Sequence, residues 1–404
     1  MKRIVVSILV LVVGISLVWW TYDFFSYSNL PETLSENINE GVFDQNYADQ
    51  IQKAREHLKT IPNKLEVPSF SVAVGSKGKI IWSEAIGFHN VENEIPVTTE
   101  SIYRIGSTSK SVTSTLAAKL YEKGIFDLDL EITDQIENYP AKNWPFTPRQ
   151  LMSHTAGFPH YGDLKPHGLY SVSCNCEYYP TVTEALSIFN DADLLFEPGT
   201  DFEYSSLDMI LLSAHLEDIA NQDFLSLLDE EVFAPLNMSN SFGDHSDPKQ
   251  AEAIKFYETK NGKYRPWKTW GIFPHDIDLS YKGAGGGIMS TPTDLVRMGN
   301  AIVSDSSFLR EETKAIFFEP QTLNNGEVNE QLYALGWRSY KEYENEKFDE
   351  TVWIVHHGGV SKGSMNLLVL FPDEELVINA SINTRTEEFS YFWEEVMQLA
   401  SFFL

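Results

Sequence analysis

The sequence predicts an α+β fold: an antiparallel sheet formed by N- and C-terminal strands, flanked by helices, with an inserted and mainly helical lobe. Three observations carry this. SFSVAVGSKGKIIWSEAIGFHN, Ser69 to Asn90, alternates like two or three antiparallel strands with turns at Gly75 to Gly78 and near Gly87. LLVLFP and LVINASIN, within Leu332 to Asn383, are equally strong strand segments. Between them, from about Leu128 to Val303, helical patterns and loops dominate, so one sheet has to be closed by the two ends of the chain.

The elements follow in order. Residues 1–29 open with Lys2 and Arg3, then run uncharged from Ile4 to Trp20 and close on paired tryptophans suited to a membrane interface. That run is just long enough, with help from its flanks, for a bilayer that takes about 20 helical residues. The expectation is an uncleaved anchor with an exported body; a cleaved signal peptide is the alternative, with only Ser26-Tyr27-Ser28 as a weak cleavage pattern. Residues 30–66 read as a polar connector and an amphipathic first helix, Ala48 to Thr60. Residues 67–404 form the main domain, with the helical lobe at roughly 128–303 and a last helix around Trp393 to Phe403. In the lobe, FTPRQLMSHTAGF offers Thr147 as cap, Pro148 at the first helical position and Gln150 to complete a capping box.

Composition bounds the function. The 404 residues are 43% hydrophobic, enough for a large core, and 30 basic against 58 acidic side chains leave a net charge of −28. A phosphate backbone would be repelled, which excludes nucleic acid as a partner. Cys174 and Cys176 are separated by one residue, too close for an ordinary unstrained disulfide and too few for zinc. A loop position without a role is expected there, a redox pair being the alternative.

Chemistry concentrates in three places. RIGSTSKSVTSTLAAKL, Arg104 to Leu120, sets Ser107 one turn before Lys110. The S-x-x-K spacing also occurs at Ser76/Lys79, which reads as a hairpin turn, and at Ser246/Lys249, which carries a proline in a polar loop. Only Ser107 opens a periodic helix, with Val112, Leu116 and Leu120 at four-residue spacing and Gly124 placed to end it. Positions i and i+3 share a helix face, so Lys110 can reach Ser107. A serine needs a base to become a nucleophile, and a lysine shielded at a helix N-terminus has its pKa lowered by desolvation and by the helix dipole. A helix cap with a solvated lysine behind it remains the competing reading.

The second place is FEPGTDFEYSS, where the Pro198-Gly199 turn brings Tyr204 to a loop-to-helix junction. There a phenol can face a cleft and move a proton, or simply cap the lobe's core. The third is VWIVHHGG: paired glycines in a strong strand imply the close approach of another backbone or a ligand. His356 and His357, adjacent in that strand, face opposite sides and cannot ligate one metal. GAGGG, Gly283 to Gly287, lacks the final glycine of a dinucleotide loop and any βαβ context, and is read as a tight backbone passage before a helix capped by Thr291. No metal or other cofactor is expected.

In order, Ser107-x-x-Lys110, Tyr204-Ser205-Ser206 and His356-His357-Gly358 resemble the three motifs of the serine β-lactamase and penicillin-binding-protein superfamily, in its class C-like branch. LMSHTAGF, VFAPLNM, GAGGGIMSTPTDL and YALGW add flanking likeness, especially to the mitochondrial serine β-lactamase-like proteins and their bacterial relatives, which are regarded as peptidases. The resemblance, from Val67 to Asn383, implies a β-lactamase/transpeptidase-like fold and an acyl-enzyme. It makes Ser107 the nucleophile, Lys110 its base and Tyr204 a second proton shuttle. His356 takes the cationic position of the third motif, with a register starting at His357 left open. Ser206, His357, Gly358 and Gly359 line the substrate, and the N–H groups of Ser107 and Gly359 form the oxyanion hole. Ser206 stands where the superfamily has asparagine, and a histidine where it has lysine.

The expected function is an extracytoplasmic serine hydrolase acting on a peptide or small acyl substrate, most directly at peptide or amide bonds. An esterase or β-lactamase on the same site, and a non-catalytic peptidoglycan-binding or oligomer-forming module, are the alternatives.

Overall fold

The computed structural model describes residues 26–132, 136, 139–244, 252–267 and 277–404. Its centre is an antiparallel sheet of eight strands: β1 (Ile38–Phe43), β2 (Ser69–Ser76), β3 (Lys79–Asn90), β4 (Ile95–Pro96), β5 (Arg338–Tyr343), β6 (Val352–Ser361), β7 (Ser364–Phe371) and β8 (Leu376–Ile382). The spatial order is β5-β6-β7-β8-β2-β3-β1, with the short β4 paired to β3. The two chain ends meet where β8 pairs β2, Ile378 opposite Val74, as the strand pattern predicts. The β2–β3 turn has Lys77 at φ 50° and Gly78 at φ 77°, the left-handed pair that a tight two-residue hairpin demands.

Seven helices matter here: α1 (Ala48–Leu58), α2 (Ser109–Glu122), α3 (Pro148–Met152), α4 (Ser206–Ala220), α5 (Gly283–Gly286), α6 (Pro292–Ser304) and α7 (Phe389–Ala400). Strand β2 is buried at every position because both faces of the sheet are covered. Phe70, Val72 and Val74 pack with Ile51, Ala54 and Leu58 of α1 and Phe392, Val396 and Met397 of α7. Their neighbours turn the other way: Ala73 joins the core shared with α2, α4 and α6. On that side Gly75 lies so close to Asn300 of α6 that a β-carbon would meet its amide at 2.3 Å. The helical lobe sits on this second face, with α2 running through it. Val112, Leu116 and Leu120 are all buried there, each worth about 1.5–3 kcal/mol relative to exposure.

Local signals hold where side chains make the cap. Thr147 accepts from the Gln150 N–H while its own N–H bonds the Gln150 side chain at 3.0 Å, closing the capping box at α3. Thr291 caps α6, with Pro292 in its first turn.

Several expectations change. The 30–66 connector supplies β1 as an edge strand on β3, because Ile38 and Phe43 find an apolar partner in the sheet-and-helix core that a polar reading of the segment ignores. Cys174 and Cys176 are joined as a disulfide: Asn175 takes a left-handed φ of 50°, folding the chain until the Cα atoms are 5.2 Å apart, an ordinary bridging distance. The membrane-anchor expectation is withdrawn. Among the described residues no helix is long and apolar enough to cross a membrane, and the Ile4–Trp20 run lies outside those residues. The Ser246/Lys249 pair lies outside them too.

Candidate active site

Ser107 sits in a single 3-10 turn, Gly106–Thr108, rather than inside the helix it precedes, and it is half-buried. Two glycines allow this turn to lie against β6. Gly106 is at φ 54°, and a β-carbon on it would stand 2.7 Å from the Val360 backbone nitrogen. From the other side, a β-carbon on Gly359 would stand 1.8 Å from the Ile105 carbonyl oxygen and 2.9 Å from the Ser107 nitrogen. Thr108 pins the turn by donating its hydroxyl to the His357 carbonyl at 3.2 Å. The nucleophile's backbone N–H and the β6 backbone at Gly359 and Val360 are thereby brought together.

Lys110, in the first turn of α2, is fully buried. Its Nζ lies 3.3 Å from Ser107 Oγ, 3.0 Å from Ser206 Oγ and 2.5 Å from the Gly285 carbonyl oxygen. The carbonyl can only accept, whereas either hydroxyl can donate or accept. A neutral amine in this position donates to Gly285 and Ser206 and takes the proton of Ser107. Burial is the main influence on Lys110 and lowers its pKa below the ordinary lysine value; the nearby Tyr204 opposes the shift and the positive Arg338 adds to it. Gly285 can offer its carbonyl only because it has no side chain: a β-carbon there would meet the Ser206 carbonyl oxygen at 2.6 Å. GAGGG is thus the close backbone passage the sequence suggests, and it also forms one wall of the lysine's cage.

Tyr204 is half-buried at the start of α4, following the turn at Gly199, which has φ 83°. Lys110 Nζ is 4.9 Å from its ring centroid, and the rings of His154, Tyr333 and His357 lie 4.5, 6.0 and 6.3 Å away. Ser107, Lys110, Tyr204, Ser206 and His357 therefore meet in one place, drawn from α2 and its preceding turn, α4 and β6. Ser206 is bonded to Lys110 through its hydroxyl.

His356 is not part of this group. Strand alternation turns it to the opposite face, where its ring stacks on Tyr340 at 5.4 Å and meets Trp393 of α7 at 4.6 Å. Gly358 faces the same way, and a β-carbon there would strike Phe389 at 2.4 Å, so this side of the glycine is packed against α7. The His357 register is the one the structure adopts. His357 Nδ1 lies 2.7 Å from the Gly358 carbonyl, an obligate acceptor, so it carries the proton. Its Nε2 then accepts from the Tyr333 hydroxyl at 2.8 Å. Burial, helped by the positive charge of Arg338, keeps the His357 pKa well below 6.5, so the third motif offers a neutral imidazole. Burial likewise takes His356 down to about 3, with Arg338 adding to it.

Sequence reasoning missed Arg338 of β5. Its guanidinium stands over the rings of Tyr204 and Tyr333, at 5.4 and 5.1 Å, and donates to Gln331 at 2.6 Å. The signal was a basic residue directly after YALGW, on the strand paired with β6. Lys282, ahead of α5, is a second missed cation. Burial, with Lys362 and Arg104 nearby, brings its pKa to about 7.

The family profile described as Beta-lactamase matches residues 25–400. The chain belongs to the beta-lactamase family. Among relatives within it, the human mitochondrial serine beta-lactamase-like protein LACTB is 26% identical across 81% of this chain and 73% of that protein. Solved structures of the same fold include the octameric penicillin-binding protein homologue from Pyrococcus abyssi, with a TM-score of 0.66 and 20% identity, covering 87% of this chain and 77% of that one. The D-amino acid amidase from Ochrobactrum anthropi SV3 has a TM-score of 0.70 and 20% identity, covering 88% of this chain and 98% of that one. As a beta-lactamase-family chain, this protein has a serine-hydrolase fold of mixed α and β structure.

Proposed function

We propose that this chain is a working hydrolase that forms an acyl-enzyme on Ser107, cleaves peptide or amide bonds, and carries its body outside the cytoplasm. One observation supports the chemistry above the others: the buried Lys110 amine, caged by one carbonyl and two hydroxyls, with the Ser107 hydroxyl as one of them. Burial disfavours its ammonium form, so the resting lysine can accept a proton. As Ser107 Oγ bonds to the substrate carbonyl carbon, its proton passes to Lys110 and the carbonyl oxygen becomes an oxyanion. The N–H of Ser107 and the β6 backbone at Gly359 and Val360 receive that charge. Tyr204, beside Lys110, relays a proton to the leaving amine as the C–N bond breaks. Water then attacks the ester, surrendering its proton through the same pair, and Ser107 leaves with a proton restored.

Arg338 takes over the charge that the neutral His357 lacks and receives an anionic group of the substrate. The amidase of the same fold agrees with an amide substrate. The Cys174–Cys176 disulfide suits an oxidising compartment and supports placement outside the cytoplasm. The same geometry also serves a second reading, an esterase, which asks less of Tyr204 because an alcohol leaving group needs less protonation than an amine. Turnover of matched amides and esters sharing one acyl group separates the two. Amide cleavage that disappears in Ser107→Ala establishes the first reading, ester cleavage alone establishes the second, and cleavage of neither in folded protein rejects both in favour of a binding module.

A further inference from the structure

His154 meets the Tyr204 segment at three successive residues. Its carbonyl accepts the Glu203 N–H at 3.0 Å, its ring centroid lies 4.5 Å from that of Tyr204, and the Ser205 nitrogen lies 3.5 Å from its Nδ1, a packing contact because that ring nitrogen has its one hydrogen bond with Asp208. The backbone around it continues the clamp: Gly199 N–H donates to the Thr155 carbonyl at 2.8 Å, and Ser205 Oγ to the Pro159 carbonyl at 2.8 Å. His154 itself is held at φ 60°, a left-handed conformation uncommon for a residue with a side chain. Its ring also packs on Tyr333 at 4.6 Å, the tyrosine that donates to His357.

Asp208, one turn into α4 from Tyr204, fixes the orientation of that ring, with Oδ2 2.8 Å from His154 Nδ1. Both side chains are completely buried. The second atom of each, His154 Nε2 and Asp208 Oδ1, is buried without a hydrogen-bond partner among the described residues. An apolar pair of the same volume would fill this space without that desolvation cost. What an apolar pair would not supply is a directed bond between the start of α4 and the ring on which Tyr204 rests.

We infer that His154, oriented by Asp208, is a positioning residue for Tyr204, holding the phenol in line with Lys110 while contacting neither substrate nor Ser107. The inference rests on the hydrolase reading above. Misplacing a proton-handling group by about 1 Å costs on the order of 100-fold in rate. Asp208→Ala is therefore expected to lower kcat roughly 10- to 100-fold with KM changed no more than about 2-fold. Asp208→Asn keeps a bond to Nδ1 and is expected to recover most of the rate. His154→Asn, a residue that tolerates the left-handed backbone, is expected to lose it as Asp208→Ala does, and it decides the matter should Asp208→Ala fail to fold.

The measurement is kcat and KM of purified full-length protein on an activated amide or ester, beside thermal melting. Variants that melt earlier yet keep wild-type kcat overturn the inference and make the pair a packing element. So does an Asp208→Asn variant as slow as Asp208→Ala, because then the carboxylate and not the bond matters. If wild type turns over and the variants match it, only this inference fails. If wild type neither turns over nor acquires a covalent adduct, the hydrolase reading fails and the inference falls with it.

Discussion

Arg338 stands over Tyr204 with 5.4 Å between guanidinium carbon and ring centroid, and no carboxylate among the described residues pairs with it. A cation beside Tyr204 with no carboxylate partner among the described residues is notable in a chain of net charge −28. Under the proposed function it would receive an anionic group of the substrate. Arg338→Gln is expected to raise KM about 10- to 100-fold for a substrate bearing a carboxylate, the worth of one charged hydrogen-bonded contact, and to leave a neutral ester nearly unaffected. Parallel Michaelis curves on a matched acid and methyl ester check this.

Lys110 sets the pH dependence. Below its lowered pKa the amine is protonated and cannot take the Ser107 proton, so kcat/KM should rise with pH and reach its plateau below the ordinary lysine value of 10.5. The sign for stability follows from the same shift. Between the folded pKa and the unfolded one the unfolded chain binds the extra proton, so stability increases with pH across that window; below the folded pKa the cost of burying the charge is constant. Lys110→Met removes the cost and the slope together. It should be inactive yet no less stable near neutrality, as denaturant titrations at several pH values will show.

The two neighbouring histidines are separable by mutation. His356→Phe keeps a flat ring between Tyr340 and Trp393 and should leave kcat within about 3-fold, because a volume-conserving change on the far face costs under ~1.5 kcal/mol. His357→Phe strips the Tyr333 hydroxyl of its acceptor at the site and should lower kcat/KM by 10-fold or more, on the order of one buried unmade hydrogen bond. Steady-state kinetics of the pair decide between the registers.

Gly359→Ala tests the docking of the nucleophile's turn. The new methyl would sit 1.8 Å from the Ile105 carbonyl oxygen, and backbone cannot rotate aside as a long side chain can. A loss of about 1–3 kcal/mol in stability and of most acylation is expected, read by melting and by covalent labelling.

Much of this was legible in residues whose effect is local. The period of Val112, Leu116 and Leu120 marked α2, and Thr147 with Gln150 marked the start of α3, since both patterns act within a few residues. The meeting of Ser107, Lys110 and Tyr204 was legible through motif order. The choice between His356 and His357 was not, because alternation says only that they oppose each other; which face meets the lobe is settled by α7 and by β5, far away in sequence. The bond between Lys110 and Ser206 was not legible either, because nothing local reveals that Gly285, far away in sequence, brings its carbonyl to the same amine. Arg338, His154 and Asp208 acquire meaning only across elements, through rings and carbonyls that the chain brings together on folding.

The most direct measurement is intact mass of the protein after exposure to a fluorophosphonate, with Ser107→Ala and Lys110→Met beside wild type. The expected result is one adduct on wild type, none on Ser107→Ala and a greatly slowed reaction on Lys110→Met. Folded wild-type protein that acquires no adduct, or an adduct that persists in Ser107→Ala, would contradict an activated serine at this site.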